Sequence, residues 1–391
     1  MVAPKVSTMR MLHTSDWHLG RSFHQVGLLP AQEQFLDHLV EVVRSEGVDV
    51  VAIAGDVYDR ALPAPQTVSL LSEALRRITD AGAQVVLASG NHDSAVRLGF
   101  GGPLLERAGV HLRTSVADLS RPITIGATRI YALPYLEPSV VADELDGAER
   151  SHHGVIERAL ARVTADAERH QGPVVVLAHA FVTGGEASDS ERDISVGGVG
   201  DVPLSLFREA DYVGLGHLHG AQTLDERVRY SGSPVAMSFS EARHTKSSWL
   251  VDLGDARSGD VRTERIEAPV HTPLAVLRGD LEALLRDPAH QAAESAYCQV
   301  TLTDAVRPLD AIDKVRRRFP HTLSLQLDPQ GIEPSQSRSY AARIRVASDP
   351  ELVDGFLEHV RGGATPSAEE HAVVVEALEA VRVASSGEGS T

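Results

Sequence analysis

The stretch QVVLASGNHD, residues 84–93, decides the reading: an apolar run stops abruptly at an amide, an imidazole and a carboxylate. Buried polar groups are costly unless something pairs with them. Such a cluster therefore belongs in a loop at the end of a core strand, where a site is least costly to build. Four other places follow the same plan. DWH (16–18) closes RMLHT (10–14), and GDVYD (55–59) follows VDVVAIA (48–54). AHA (178–180) ends GPVVVLA (172–178), and GHLH (216–219) breaks the run DYVGLG (211–216). Between these runs, residues 30–46 have helical periodicity, with Phe35, Leu39 and Val42/Val43 on one face, as do 65–81 and 154–169. Strands alternating with helices predict a layered α/β domain, and a β-rich run over 228–268 completes a sheet.

Ligands in α/β folds collect at the carboxyl ends of strands, so the five polar loops can share one edge. Asp16/His18 and His217/His219 are i, i+2 pairs, which an extended backbone turns to one side. Together with Asp56, Asn91 and His179 they make seven nitrogen and oxygen donors. That is too many for one tetrahedral zinc. It suits two metals sharing a bridging carboxylate, with positions left for water and a substrate phosphate. No thiolate takes part, and the imidazole, carboxylate and amide mixture favours Mn²⁺, or Fe²⁺ or Zn²⁺, over Mg²⁺. Taken singly, each piece is weak. GD and GNH are ordinary turn signals, and most of the 18 histidines are bystanders. Asp59 could cap a turn, and Asp93 the helix expected near Ser94. Five clusters in order at five strand ends are another matter.

Composition bounds the rest. The chain has 391 residues, 42% of them hydrophobic and 23% charged, room for two or three domains. No apolar run approaches the ~20 residues of a membrane span. The start, MVAPKVSTMRML, has no signal-peptide core, and the single Cys298 excludes an intrachain disulfide, so a cytoplasmic protein is expected. A net charge of −17 argues against nucleic-acid binding by overall basicity but not against a local basic groove. Composition shifts near Ala268–Pro273. Beyond it PLAVLRG, a helix at 279–286, AYCQVTLT, a helix at 308–318 and TLSLQLD make a β-α-β-α-β unit, followed by a short strand ARIRVAS. Two helices then open on the capping-box signatures Ser348–Glu351 and Ser367–Glu370, before a disordered tail SSGEGST.

The motifs D-x-H, GD-x-x-D, GNH[DE], a later isolated His and GH-x-H, in this order, resemble the calcineurin-like metallophosphoesterases. The stretches LHTSDWHLGR, AGDVYDRALP, GNHDS, GLGHLHG and YSGSPVAMSFSEA are most similar to the SbcD family, the nuclease subunits of bacterial SbcCD complexes. The likeness runs from residue 9 to about 383; relatives tend to start near Met9, so residues 1–8 are expected to be disordered or to precede the true start. The resemblance implies one metal on Asp16, His18, Asp56 and His219, and a second on Asp56, Asn91, His179 and His217, with Asp56 bridging. His92 is then the catalytic residue at the scissile phosphate, oriented by Asp59, while Asp93 supports the loop.

The expected fold is a four-layer αββα sandwich over 1–268, then a small α/β capping domain over 269–347 and a C-terminal helical pair over 348–391. The expected reaction is metal-assisted phosphodiester hydrolysis. Hydroxide attacks phosphorus in line, two cations ~3.5–4 Å apart neutralise the developing charge, and His92 assists departure of the sugar oxygen. By resemblance the substrates are DNA ends and hairpins, for a double-strand exonuclease and single-strand endonuclease acting in DNA repair, recombination and replication. An SbcC-type ATPase subunit is the implied partner, docking on the C-terminal helices, and a homodimer is a further possibility. This chain itself has no G-x₄-GK[ST] motif and no G-x-S-x-G motif. Two rivals stand beside this reading: a phosphatase or phosphodiesterase for smaller substrates on the same scaffold, and a non-catalytic DNA-tethering scaffold.

Overall fold

The structure is a computed structural model that describes residues 9–192, 202–254, 257, 261–329, 348–361 and 364–387. The predicted strand ARIRVAS and the ends of the chain lie largely outside these residues. Two compact units emerge: residues 1–276 with 289–299 and 319–324, and residues 277–288, 300–318 and 325–391.

In the first unit the strands are β1 (Met9–Thr14), the hairpin β2 (Ser22–Phe23) and β3 (Val26–Gly27), β4 (Val50–Ala54), β5 (Gln84–Ala88) and β6 (Val110–Arg113). They continue as β7 (Ile123–Ile125), β8 (Thr128–Ala132), β9 (Val174–His179), β10 (Tyr212–Gly216), β11 (Gln222–Thr223), β12 (Val228–Tyr230), β13 (Ser247–Leu253) and β14 (Val261–Glu267). They build two six-stranded sheets, ordered β14-β13-β1-β4-β5-β6 and β11-β12-β10-β9-β8-β7. β1, β4, β5 and β6 run parallel, as do β8, β9, β10 and β12.

Side-chain alternation explains the layering. In β4, Val51 and Ile53 join the core beneath the helices Leu29–Glu46 and Pro65–Asp80. Val50, Ala52 and Ala54 face the other way, meeting Val175 and Leu177 of β9 in a core between the sheets. Val174, Val176 and Ala178 of β9 then pack with Val155, Ala159 and Val163 of the helix His152–Ala167. These strands are apolar on both faces because both faces are covered. The result is helices, sheet, sheet, helices.

The helix Leu29–Glu46 starts with Pro30 in its first turn and stops at Gly47, whose φ of 61° is left-handed and whose N–H bonds Val43 O. Its predicted face is buried: Phe35, Leu39, Val42 and Val43. The helix expected over 154–169 begins earlier, at His152, because Ser151 caps it through Gly154 N at 3.1 Å.

Three more strands, β15 (Leu274–Gly279), β16 (Tyr297–Leu302) and β17 (Thr322–Leu327), form a sheet in that order, with helices between them along the chain. In the second unit the helices Leu281–Arg286 and Ala311–Arg318 are linked by Arg318 donating to Leu284 O at 2.9 Å. The helices Asp349–Val360 and Ala368–Gly387 both open on the predicted caps. Ser348 N and Oγ donate to Glu351, while Ser367 N donates to Glu370 and Glu370 N to Ser367 Oγ.

Candidate metal centre

The loops after β1, β4, β5 and β10, and the last residue of β9, bring the predicted residues together. Main-chain bonds tie the first two: Asp16 N to Gly55 O, and His18 N to Asp56 O, each at 3.0 Å. The backbone here is not extended, contrary to the expectation for i, i+2 pairs. Asp16, His18, Asp56 and His217 have φ of 53°, 42°, 49° and 104°, a left-handed region that few non-glycine residues adopt and that is concentrated at functional sites. The sidedness survives because the middle residue of each pair is an anchor. Trp17 is fully buried in the helix-side core of one sheet, with its indole N–H on Thr14 Oγ1 at 3.0 Å, and Leu218 is buried in the helix-side core of the other. The buried Gln32 amide holds the first loop through Trp17 O and His18 O.

Asp56 lies at the middle. Its Oδ2 is 3.5 Å from His18 Nε2 and 3.4 Å from His179 Nε2, and its Oδ1 accepts His92 N at 2.8 Å. His18 Nε2 faces His219 Nε2 at 3.1 Å, and His179 Nε2 lies 2.8 Å from Asn91 Oδ1. Asp16 accepts His217 N at 3.0 Å and lies 3.9 Å from His179 Nδ1. The ring of His217 stands edge-on to His179, with centroids 5.4 Å apart. Three sets of side chains have ligand atoms within 4.8 Å of one another: Asp16, His18 and His219; Asp16, Asp56 and His179; and His18, Asp59 and His92. The ring of His217 joins none of them.

The glycines show how tight the packing is. A Cβ on Gly55 would meet His179 Nδ1 at 2.4 Å, and one on Gly90 would meet Asp56 Oδ1 at 2.2 Å. These turns need glycine so that strand ends and side chains can approach.

The electrostatics fit a cation. Asp16 and Asp56 are buried, yet no Lys or Arg ion pair reaches either among the described residues; their neighbours are imidazoles. Burial pushes Asp16 up to about 6. Burial acts on Asp56 in the same sense, but His179 and His18 outweigh it and hold Asp56 well below the usual carboxylate range. Burial, opposed by Asp56, would lower His179, and the carboxylate wins, raising it to about 9. Burial and the nearby His179 lower His217 to about 3. Two carboxylates and four imidazoles buried together, with Asn91 Nδ2 and His18 Nδ1 making no hydrogen bond, are the donor set that divalent metals take.

His92 sits beside this cluster. Its Nδ1 is 2.9 Å from the main-chain oxygen of Asp59, while the Asp59 carboxylate turns to Arg21 at 3.0 Å and lies 3.7 Å from His18 Nδ1. Asp93 staples the loop by accepting from Gly90 N, Val57 N and Tyr58 N. Ser94 makes no side-chain cap to the short helix Ala95–Leu98. Behind His219 lie residues the sequence reading did not single out. Ser190 Oγ is 2.5 Å from His219 Nδ1, Glu191 Oε1 accepts His219 N at 2.7 Å, and Glu241 pairs with Lys246. The only signal for any of them was Glu241 within SFSEA.

Comparison with known proteins gives two family matches. The calcineurin-like phosphoesterase family matches residues 9–221, and the SbcD_C family, described as the type 5 capsule protein repressor C-terminal domain, matches residues 270–361. Among solved structures, a protein of Thermus thermophilus is 14% identical, with a TM-score of 0.39 over 66% of this chain and 99% of its own. A dimetal phosphatase from Danio rerio is 12% identical, with a TM-score of 0.36 over 66% and 99%.

Proposed function

Because this chain belongs to the calcineurin-like phosphoesterases and carries an SbcD-type C-terminal domain, we propose that it is the metal-dependent DNA nuclease of an SbcCD-type complex. The observation that carries the reading is the convergence of two buried carboxylates and four imidazoles, with no Lys or Arg ion pair to either carboxylate among the described residues. Asp16, His18, Asp56 and His219 would hold one metal, and Asp56, Asn91, His179 and His217 the other; Asp56, between His18 and His179, suits the bridge. Two divalent ions, proposed to be Mn²⁺, would supply Lewis-acid activation of the phosphodiester and of water.

What the chain's own residues do follows from their places. His92, with Nδ1 held by Asp59 O, would give the proton of its other nitrogen, Nε2, to the departing sugar oxygen. Burial lowers its pKa, and the nearby Asp56 carboxylate opposes that. Arg21 is committed to Asp59 and to Ser190 O, so it rigidifies the site. Arg60 and Arg97, more exposed, are available for substrate phosphates.

The substrates are DNA ends and hairpins, and the partner is an SbcC-type ATPase docking on the C-terminal helical pair. The three-part division at 268 and 347 follows from these roles. No described helix is long and apolar enough to cross a membrane; a cytoplasmic location is part of the same proposal. A homodimer is supported by an exposed apolar face of Val68, Phe100 and Leu104 around a groove.

The test is digestion of linear and hairpin DNA in Mn²⁺, with and without the SbcC-type subunit, beside a small phosphomonoester. DNA cleavage abolished by chelation is expected. Rapid turnover of the phosphomonoester with DNA left intact would give the site to the smaller-substrate reading.

A further inference from the structure

We infer that Ser190 and Glu241, with Lys246 as counter-charge, form a relay that fixes the proton and the rotamer of His219. They are thus positioning residues for one of the two metals; the inference rests on the dinuclear reading above. His219 is 1% exposed, and its Nε2 faces His18 Nε2 at 3.1 Å, so Nε2 is the nitrogen turned to the centre. An imidazole that offers a lone pair at Nε2 must carry its proton at Nδ1, and a buried proton needs an acceptor.

That acceptor is Ser190 Oγ, at 2.5 Å. A hydroxyl has one proton to give, and Ser190 gives it to Glu241 Oε1, also at 2.5 Å. The carboxylate is accept-only, so every proton in the chain has one direction: His219 Nδ1–H to Ser190, Ser190 O–H to Glu241. Glu241 is 1% exposed and is balanced by the buried Lys246 ammonium on Oε2. Lys246 also donates to His219 O at 3.0 Å and to Ser233 Oγ at 2.9 Å. His219 is therefore gripped at its amide by Glu191, at its carbonyl by Lys246 and at its ring by Ser190.

The other histidines facing the centre are held differently. His179 places Nδ1 on a main-chain acceptor, Ala54 O, at 3.0 Å, and His18 Nδ1 makes no hydrogen bond. His18 Nδ1 instead faces the Asp59 carboxylate at 3.7 Å; among these three, only His219 hydrogen-bonds a side chain at Nδ1, through the interposed Ser190 hydroxyl. Ser190 is itself held, because Asp189 N bonds Ser240 Oγ at 3.0 Å and Glu186 is cross-bonded with Gln222. Carboxylate partners of metal-bound histidines set ligand orientation and basicity, and their loss typically costs about 10–100-fold in metal affinity. Here a hydroxyl is interposed between carboxylate and ring.

The test uses the full chain, stripped of metal by chelation. Mn²⁺ titration by calorimetry reads the two sites, and ¹⁵N-histidine NMR of the metal-free protein reads ring tautomers. Ser190→Ala should weaken one Mn²⁺ site by about 10–100-fold, leave the other near wild type and turn one histidine from a pure Nδ1–H tautomer into a mixture. Ser190→Thr keeps the hydroxyl and should restore both readouts. Should Ser190→Ala melt below the assay temperature, Ser190→Cys, with a poor donor and acceptor in nearly the same volume, carries the same expectation. Unchanged affinities and tautomers in the Ala or Cys variant, or a Thr variant no better than Ala, overturn the relay. A wild-type protein that takes up no Mn²⁺ would instead bring down the dinuclear reading beneath it.

Discussion

The main-chain N–H of His92 donates to Asp56 Oδ1 at 2.8 Å, so the residue expected to serve the substrate is also a brace for the carboxylate expected to bridge the metals. The brace uses backbone alone. Removing the imidazole leaves it intact, which separates the two roles experimentally. His92→Ala should lower DNA cleavage by about 10²–10⁴-fold, the range for a lost general acid, with metal content by elemental analysis near two per chain. Loss of metal in this variant would make the ring a ligand.

Asp56→Asn tests the bridge. Asparagine tolerates the left-handed φ of 49° at this position and can still accept His92 N through Oδ1. Its NH₂ then points where Oδ2 lies, toward His18 Nε2 and His179 Nε2, at 3.5 and 3.4 Å. A donor facing both ligand sets removes the shared anion from both. Mn²⁺ calorimetry should show both affinities falling together in a protein whose melting without metal is little changed. One site intact at its original affinity would rule out the bridging role.

His13 gives a pH dependence separable from the centre. It is fully buried between the sheets, with Nδ1 2.9 Å from Tyr212 Oη, and burial lowers its pKa from 6.5 to about 3. The unfolded chain therefore binds a proton that the folded chain refuses between these values. Stability from this residue is complete above 6.5 and is lost as pH falls toward 3. Over the first 1.5 pH units or so of that fall the loss is roughly 2 kcal/mol. Asp93 and Asp16, raised by burial to about 7 and about 6, act in the opposite sense, so the wild-type curve alone is a mixture. The difference between wild type and His13→Asn in chelator isolates the term. Denaturant unfolding between pH 7 and 5 should show a shallower acid loss in the variant, and parallel curves would refute the assignment.

The strand ends were legible because apolar runs have a physical reason to stop where polar residues begin. Val50–Ala54 and Val174–His179 are apolar on both faces, and that composition already implies covered sheets. The capping boxes at Ser348 and Ser367 were legible for a related reason: both partners lie within one turn. The left-handed turns at Asp16, His18, Asp56 and His217 were not, since nothing local distinguishes an Asp or His in that conformation from one in a strand. Nor was the Ser190–Glu241–Lys246 relay. Ser190 meets His219 across 29 residues and Glu241 across 51, and isolated polar residues carry no periodicity. The Asp93 staple reaches Val57 and Tyr58, 36 and 35 residues away, so the residue looked equally fit to cap the next helix.

The C-terminal helices carry the last prediction. Asp349–Val360 and Ala368–Gly387 are joined by Arg361 on Glu370 at 2.8 Å and by His371 Nδ1 on Asp354 at 2.5 Å. Leu352, Val353, Val374 and Leu378 are half-buried, yet Phe356, Val360 and Val373 stay 52%, 64% and 65% exposed. The first helix thus leaves its aromatic in solvent, and on the second the exposed residue is Val373, beside the half-buried Val374. A helix as short as Asp349–Val360 is marginal by itself, and the uncovered apolar edge of the pair favours a partner surface. Residues 351–391 hold eight acidic and two basic side chains, which makes DNA a poor candidate for that partner. Truncation after Ala347 should therefore abolish co-purification with the SbcC-type subunit while sparing Mn²⁺-dependent cleavage of short single strands. In the full chain, Phe356→Glu should weaken the complex at least tenfold by surface plasmon resonance, because a carboxylate replaces an aromatic that would be buried in the interface. Wild-type affinity in both variants would move the docking surface elsewhere on the chain.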